Sequence, residues 1–285
     1  MKVTLIEAPI CKGSPTDGSQ YAYRALTEAG LASCFDDAVL SPMRPPAPVD
    51  AEDCPTMKDV GEVMAVCREL AVRVEAAVGE GRLPVVIGGD HSVAIGSIAG
   101  ASAVVGTDDL AVIYIDGHTD INTDKSTLTG FIHGMPLAAA MGLCDDRLTV
   151  GSQVNLKGRN TFIIGARSID EGEYPIMRSQ GVTLYTAEDV KSRGMGAVIN
   201  EVLAAISAPE IHVSFDVDVL DREVFPSTGY RMPDGLSLAD AETALSACFA
   251  TGKVCSFDLV EYNPLLDTEG QDRQKLFSLL KLIPS

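Results

Sequence analysis

The feature that most constrains the fold is a series of short apolar runs, rich in β-branched residues, that alternate with segments of helical periodicity. Such runs predict buried strands, and strands separated by helices predict a parallel sheet with helices on both faces. The predicted strands are Val3–Glu7, Val85–Gly88, Val112–Asp116, Phe162–Gly165, Val182–Tyr185, Ile211–Asp218 and Val254–Val260, with a weaker one at Ala38–Leu40. The fold class is therefore α/β, and a ligand site is expected beyond the carboxyl ends of the strands.

The clearest predicted helix is Met57–Val78, in which apolar residues recur at helical spacing. Further helices are predicted at Val93–Ala103, Gly196–Ile206, Ala239–Ala250 and Gln274–Leu282. The Pro-rich stretch Ser41–Pro55 predicts an irregular surface loop, because proline removes a backbone donor and fixes φ. No composition shift marks a domain boundary, so we predict a single domain over residues 1–285.

Composition and charge exclude several function classes. The formal net charge of −18 would repel phosphate backbones, which argues against nucleic-acid binding, and an acidic surface can attract a cationic substrate. No apolar run approaches the roughly 20 residues that span a bilayer. The seven cysteines have scattered spacings without a CxxC pair, which predicts a reduced, cytoplasmic protein with buried thiols.

Four of the predicted strands end in acids or histidines. The segments are "VVIGGDHS" with His91, "VIYIDGHTD" with Asp116, His118 and Asp120, "IHVSFDVDVLD" with Asp216 and Asp218, and "FDLVEYNP" with Glu261. The ends of parallel strands meet at one edge, where so many carboxylates require a cation to offset their repulsion and desolvation. An oxygen-rich set with some imidazole nitrogen suits Mn²⁺ better than a structural Zn²⁺ site, and a bridging carboxylate would allow two ions to share the acids.

Each of these segments is weak evidence on its own, because acids and histidines also occur at ordinary strand ends and turns. We predict that His212, which lies inside a strand, is a structural core histidine. Asp90 is interpreted as a residue that supports the metal ligands, with a turn former as the alternative. Ser92 is expected to cap the helix that follows.

Taken together and in this order, "GGDHS", "DGHTDIN", "HGMP", "SFDVDVLD" and "VEYNP" resemble the arginase/agmatinase ureohydrolase family. The resemblance implies a three-layer α/β/α fold with a mostly parallel eight-stranded sheet and two Mn²⁺ ions per subunit, although other divalent metals are used in the family. It also implies homo-oligomers, commonly trimers or hexamers. The metal ligands that it implies are His91, Asp116, His118, Asp120, Asp216 and Asp218, with Asp116 and Asp216 bridging.

The same resemblance assigns catalytic roles to three residues. Asp120 would orient the attacking water, and Glu261 would pair with the guanidinium group of the substrate. His133 would carry the proton to the leaving amine. The expected reaction is hydrolysis of a small cationic guanidino compound to a urea-type product and an amine.

The substrate-binding loops resemble those of arginases more than those of agmatinases. Asn122 and Thr129 match positions that contact the α-carboxylate of arginine, and Asp170 matches one that reaches the α-ammonium. Phe131 and Tyr230 replace an asparagine and a threonine of the arginase pattern, so a hydrogen-bond donor is lost. We therefore expect arginine or a close analogue such as N-hydroxyarginine. The alternatives are an agmatinase, guanidino-acid hydrolase or formimidoylglutamase, and an inactive metal-binding paralogue.

Overall fold

A single sheet of eight parallel strands forms the centre of the computed structural model, which describes residues 2–151 and 155–284. The strands are β1 (Val3–Ala8), β2 (Ala38–Ser41), β3 (Leu83–Gly88), β4 (Leu110–Ile115), β5 (Thr161–Ala166), β6 (Thr183–Thr186), β7 (Glu210–Asp216) and β8 (Val254–Val260). All eight predicted strands are present, and the predicted parallel sheet is confirmed. The predicted strand Ile211–Asp218 ends earlier, because the Asp216 carboxylate accepts a hydrogen bond from the Asp218 backbone at 2.7 Å and starts a short 3₁₀ turn.

The strand order places the functional segments side by side. The order is β2-β1-β3-β8-β7-β4-β5-β6, so the four strands that end in acids or histidines are the central ones. β3 and β4 are consecutive in the chain but are not neighbours in the sheet, because β7 and β8 lie between them. Because all strands are parallel, the four carboxyl ends open on the same edge, which is where ligands bind in sheets of this class.

Helices cover both faces of the sheet and give it three layers. They are α1 (Ala22–Glu28), α2 (Val60–Gly79), α3 (Ala94–Val105), α4 (Pro136–Ala140), α5 (Glu173–Gln180), α6 (Ala187–Arg193), α7 (Met195–Ala205), α8 (Leu238–Ala250) and α9 (Gln271–Leu280). Alternate strand residues contribute to two separate cores, since Ile113 and Ile115 pack with α1 and α6 to α9, whereas Val112 and Tyr114 pack with α2 to α5.

The five predicted helices are confirmed, with ends that differ by a few residues. Four shorter helices, α1, α4, α5 and α6, lack the long periodic pattern that predicts a helix, and tertiary contacts stabilise them instead. The loop at Ser41–Pro55 is irregular apart from the end of β2 and an isolated bridge at Cys54. Within the described ranges, no helix is long and apolar enough to cross a bilayer.

Candidate metal centre and active site

Two groups of ligand atoms meet at the carboxyl ends of the central strands. His91 follows β3, Asp116 and His118 follow β4, and Asp216 and Asp218 lie at the end of β7. His91, Asp116 and Asp216 form one group, and Asp116, His118 and Asp218 form the other. Within each group the ligand atoms lie within 4.8 Å of one another, and Asp116 belongs to both. The carboxylate of Asp116 therefore has the position of a bridge between two cations.

The first group is almost completely buried. His91 Nδ1 lies 2.9 Å from Asp116 Oδ2, 3.1 Å from Asp216 Oδ2 and 3.3 Å from Asp120 Oδ2. Despite these short distances, neither His91 Nδ1 nor Asp116 Oδ2 has a hydrogen-bond partner among the residues that the structure describes. Burying polar atoms without hydrogen-bond partners costs free energy. These atoms are therefore better explained as ligands of a bound cation than as partners of one another.

The second group is next to the first and more open. His118 Nδ1 lies 3.1 Å from Asp218 Oδ2 and 3.5 Å from Asp116 Oδ1. The His118 side chain is 23% exposed, whereas that of Asp218 is 2% exposed. Imidazole and carboxylate donors in this mixture suit Mn²⁺ and related divalent ions. The residues present therefore fit a dinuclear centre, and the fit rests on the shared carboxylate and the atoms without partners.

Asp120 lies beside the first group and is held in an unusual backbone conformation. Its φ is 45°, in the left-handed region, and its Oδ2 accepts a hydrogen bond from the Tyr114 hydroxyl at 2.9 Å. Burial and the negative charge of Asp116 raise the pKa of Asp120 to about 8. A conformation of this kind costs on the order of 1 kcal/mol or more and often marks a functional position.

Without a metal ion, protons are the cations available to this cluster. Burial, together with the charges of Asp218 and Asp116, raises the pKa of Asp216 well above its usual value. Burial lowers the pKa of His91, but the nearby carboxylates of Asp116 and Asp216 outweigh that effect and raise it. A divalent ion must displace these protons.

The affinity of the metal-free protein for Mn²⁺ is therefore expected to increase with pH between about pH 6 and 9. Binding should release protons, because a group with a raised pKa is still protonated in part near neutrality. Calorimetric titration with Mn²⁺ in two buffers of different ionisation enthalpy measures the number released. A pH-independent affinity with no proton release would contradict the assignment of these groups as ligands.

The other nitrogen of His91 is fixed by a residue that the sequence analysis did not single out. His91 Nε2 lies 2.8 Å from the Ser214 hydroxyl, and both side chains are buried. A proton on Nε2, donated to Ser214, leaves the lone pair of Nδ1 directed at the carboxylates. Ser214 also stands two residues before Asp216 on the same face of β7, a position that alternation would indicate once the ligand is known.

Ser214→Ala is therefore expected to lower the affinity for Mn²⁺ by about tenfold to 100-fold, the usual effect of removing a partner that orients a metal-binding histidine. Titration of the metal-free protein with Mn²⁺ gives the affinity. The matched control is Ser102→Ala, which removes another buried hydroxyl whose hydrogen bond goes only to the Ala99 carbonyl. Equal affinities for both variants would show that Ser214 does not orient His91.

Glu261 and His133 form a second acid–imidazole pair beside the metal groups. His133 Nδ1 lies 3.4 Å from Glu261 Oε1, which also accepts a hydrogen bond from the His91 backbone at 3.0 Å. The other oxygen, Oε2, is buried and has no hydrogen-bond partner within residues 2–151 and 155–284. Burial lowers the pKa of His133, but Glu261, Asp120 and Asp90 together raise it. The Tyr230 hydroxyl lies 3.4 Å from His133 Nε2.

The remaining predicted substrate residues line a pocket of about 170 Å³ above these groups. Asn122, Thr129, Phe131, Asp170 and Tyr230 all face it, together with His118, Asp120 and His133. Asn122 Nδ2 donates to Asp170 Oδ2 at 2.9 Å, so these two residues form one polar wall. A larger groove of about 520 Å³ lies at the opposite, amino end of the strands and contains no predicted site residue.

Glu173 also lines the pocket, and no local sequence pattern marks it. It is buried at the start of α5 and accepts hydrogen bonds from the backbones of Ile121 (3.1 Å) and Asp170 (2.8 Å). It thereby joins the loop after β4 to the loop after β5. Ser168, Thr127 and Gly134 complete the lining.

Two of the expectations for residues near the site can be compared directly with the structure. Asp90 caps the 3₁₀ turn His91–Val93 that leads into α3, since its carboxylate accepts the Ser92 backbone N–H at 3.0 Å, so the prediction that Ser92 is the cap was wrong. The Asp90 carboxylate also accepts from Gly13 at 2.8 Å. His212 is fully buried and contacts Ser256 at 2.6 Å and Asp258 at 3.2 Å, as expected for a core histidine.

Comparison with known proteins tests the family. The model of the arginase family matches residues 1–280. The chain belongs to the arginase family. It is 36% identical over 228 residues to an arginase of Bacillus subtilis (79% of this chain, 76% of the relative), and 33% identical over 277 residues to one of Schizosaccharomyces pombe (93% and 85%). The crystal structure of an arginase from Bacillus cereus superposes with a TM-score of 0.92 at 30% identity, covering 99% of this chain and 98% of that one.

Membership in the arginase family confirms the predicted family, fold and enzyme class, so the protein is an arginase-family hydrolase. The fold extends beyond arginases. A formimidoylglutamase from Bacillus subtilis superposes with a TM-score of 0.78 at 19% identity, covering 99% of this chain and 86% of that one. At that identity the likeness concerns the fold alone, and the substrate must be argued from the pocket of this chain.

Proposed function

We propose that the protein hydrolyses the guanidino group of arginine or a close analogue, with two Mn²⁺ ions bound per subunit. The observation that carries the proposal is the carboxylate of Asp116, which is shared by two ligand groups beside a pocket that His133 lines, with Glu261 Oε1 3.4 Å from His133 Nδ1. Two cations joined in this way and a carboxylate for the guanidinium are what hydrolysis of that group requires.

The proposed ligand sets contain the two groups, with Asp120 added to the first and Asp216 shared with the second. His91, Asp116, Asp120 and Asp216 would hold one ion, and Asp116, His118, Asp216 and Asp218 would hold the other. Bound divalent ions supply Lewis acidity, which makes water nucleophilic near neutral pH. Asp116 is fully buried, and among the described residues its Oδ1 accepts the His118 backbone N–H at 2.7 Å while its Oδ2 has no hydrogen-bond partner, which would favour strong binding of a metal here.

The protein's own groups orient the reactants and move the protons. Glu261 has one oxygen without a partner, and this oxygen can accept a guanidinium N–H and hold the central carbon in place. Asp120 accepts a hydrogen bond from the attacking water and aims it at that carbon. His133, whose pKa the Glu261 carboxylate raises against the effect of burial, donates a proton to the leaving nitrogen.

The far wall of the pocket supports an amino-acid substrate. Asn122 and Thr129 offer polar groups for a carboxylate, and Asp170 offers a carboxylate for an ammonium group. Phe131 and Tyr230 add aromatic surface, which favours arginine analogues with a modified guanidino group, N-hydroxyarginine among them. A decarboxylated or deaminated guanidine, as in agmatinase or guanidino-acid hydrolase activity, would leave one side of this wall unused.

The substrate is tested by loading the protein with Mn²⁺ and measuring turnover of arginine, N-hydroxyarginine, agmatine, 4-guanidinobutyrate and formimidoylglutamate. Urea, hydroxyurea and formamide are quantified separately, and elemental analysis gives the metal content. We expect turnover of the first two compounds to exceed that of the others. Preference for agmatine or formimidoylglutamate would replace the proposed substrate, and two bound metals without turnover of any compound would favour an inactive paralogue.

Native metal, assembly and location are further parts of the proposal. Reconstitution with Mn²⁺, Co²⁺, Ni²⁺ and Fe²⁺ in parallel compares the metals by activity and by thermal stabilisation. A homo-oligomer, trimer or hexamer, stays a prediction from the family resemblance, and a cytoplasmic location stays a prediction from the cysteine pattern. Light scattering of the purified protein measures the number of subunits and so tests the oligomer.

A further inference from the structure

The pocket wall is acidic, although the proposed substrate carries a carboxylate. Three carboxylates line the pocket, those of Asp120, Asp170 and Glu173, and none of the described lining residues is a lysine or an arginine. A substrate carboxylate that enters this field needs a cation nearby to offset the repulsion. The hydrogen-bond donor that the arginase pattern has at Phe131 is absent, which increases that need.

Lys58 places a cation against this wall. Its ammonium lies 4.1 Å from the centre of the Phe131 ring, and Phe131 is part of the pocket wall. An ammonium over an aromatic face is attracted by the ring, typically by about 0.5–1 kcal/mol at a partly exposed site. Lys58 is therefore held against a residue of the pocket wall.

A backbone hydrogen bond between two loops holds Lys58 beside Phe131. The Lys58 amide donates to the Gly130 carbonyl at 2.9 Å, one residue before Phe131. Gly130 has a φ of 77°, and a Cβ there would collide with the Pro55 carbonyl, so only glycine allows this approach. Reciprocal hydrogen bonds between Cys54 and Met57, at 3.3 and 2.9 Å, close the turn that precedes Lys58.

We propose that Lys58 is a specificity-determining residue whose ammonium recognises the α-carboxylate of the substrate at the Phe131 side of the pocket. The inference rests on the proposed function and names its substrate class, an α-amino acid rather than a simple amine. Asp170 and Glu173, which also line the pocket, offer carboxylates for the α-ammonium, so the lining and Lys58 together match the two charges of an amino-acid head group. A four-carbon stem lets the ammonium adjust to its partner.

The test compares a substrate that has the carboxylate with one that lacks it. In Lys58→Gln, the KM for L-arginine should rise about tenfold, which corresponds to about 1.4 kcal/mol, while kcat stays within about twofold. The KM for agmatine, which has no carboxylate, should stay within about twofold. Lys58→Arg keeps the charge and should restore the KM for L-arginine in large part.

If Lys58 had only a structural role in its turn, Lys58→Gln would change the KM for both substrates equally. Equal shifts in KM for L-arginine and agmatine would therefore overturn the inference, as would an unchanged KM for L-arginine. The matched control is Lys125→Gln, which removes the same charge from an exposed position in the loop after β4 and should leave the KM for L-arginine within about twofold.

If the Mn²⁺-loaded wild type turns over no guanidine, the proposed function fails. Calorimetric binding of L-ornithine and putrescine to wild type and Lys58→Gln then decides the role of Lys58 independently, because a loss confined to L-ornithine supports it and an equal or absent loss refutes it.

Discussion

Asp116→Asn is expected to prevent the binding of both divalent ions and to lower kcat/KM by on the order of 10³-fold, the upper end of the effect of removing one electrostatic element of an active site. The reason is that Asp116 is common to the two ligand groups and completely buried. Asparagine keeps the size of the side chain and removes the charge. One of the two carboxylate oxygens of Asp116 is also replaced by an NH₂ group, which does not bind a cation.

Two measurements make this prediction independent of turnover. Elemental analysis of the Mn²⁺-loaded variant should find far fewer ions than in the wild type. In addition, Mn²⁺ at 100 times its Kd should stabilise the wild type by about 2.7 kcal/mol per site, seen as a rise in Tm, and this rise should be lost in the variant.

The control is Asp36→Asn, which removes an exposed carboxylate next to β2, remote from the central strands. It should bind Mn²⁺ and shift in Tm like the wild type. An Asp116→Asn protein that keeps a full complement of metal would show that this carboxylate does not bridge the ions.

The sequence predicts the sheet and the position of the site well, because both depend on local patterns. A buried strand needs a short apolar run wherever it lies, and a parallel sheet brings the ends of its strands together whatever their order. For this reason the residues after β3, β4 and β7 could be grouped before the strand order was known. The order itself, with β7 and β8 between β3 and β4, is a long-range property that no local pattern contains.

The parts that could not be predicted depend on contacts between distant segments. Glu173 begins a short helix but acts on the loop after β4, about 50 residues earlier in the chain. Lys58 meets Phe131 only because the backbones of two loops join at Gly130. Neither relation leaves a periodic pattern or a fixed spacing. The backbone conformation of Asp120 and Glu261, both at positive φ, is equally invisible in the sequence, since acidic residues do not usually adopt it.

Glu261→Gln is expected to lower kcat/KM by about 10²–10³-fold while Mn²⁺ binding is retained. Glu261 directly follows β8 with a φ of 62°, and it is buried with one oxygen that has no partner. Glutamine can adopt the same backbone conformation at a similar cost, and its carbonyl can still accept from the His91 amide. The variant loses the negative charge that holds a guanidinium, so binding and orientation of the substrate fail together.

The same substitution should also change the titration of His133. Glu261 helps to hold the pKa of His133 above its usual value, so the pKa should fall in the variant. In the wild type, a raised pKa contributes stability at low pH that is lost as the pH rises through that pKa, and Glu261→Gln should reduce this contribution. NMR titration of the metal-free protein can follow the pKa of His133, because the chain has only four histidines.

The control for both readouts is Glu188→Gln, an exposed acid on α6 with no role in the pocket, which should leave turnover and the pKa of His133 unchanged. If Glu261→Gln lowers turnover but leaves the pKa of His133 where it is, the acid–imidazole contact does not set the charge of His133, and the proton for the leaving nitrogen must be controlled elsewhere. If the pKa falls and turnover persists, Glu261 tunes His133 without binding the guanidinium, and the orientation of the substrate has to come from the walls of the pocket.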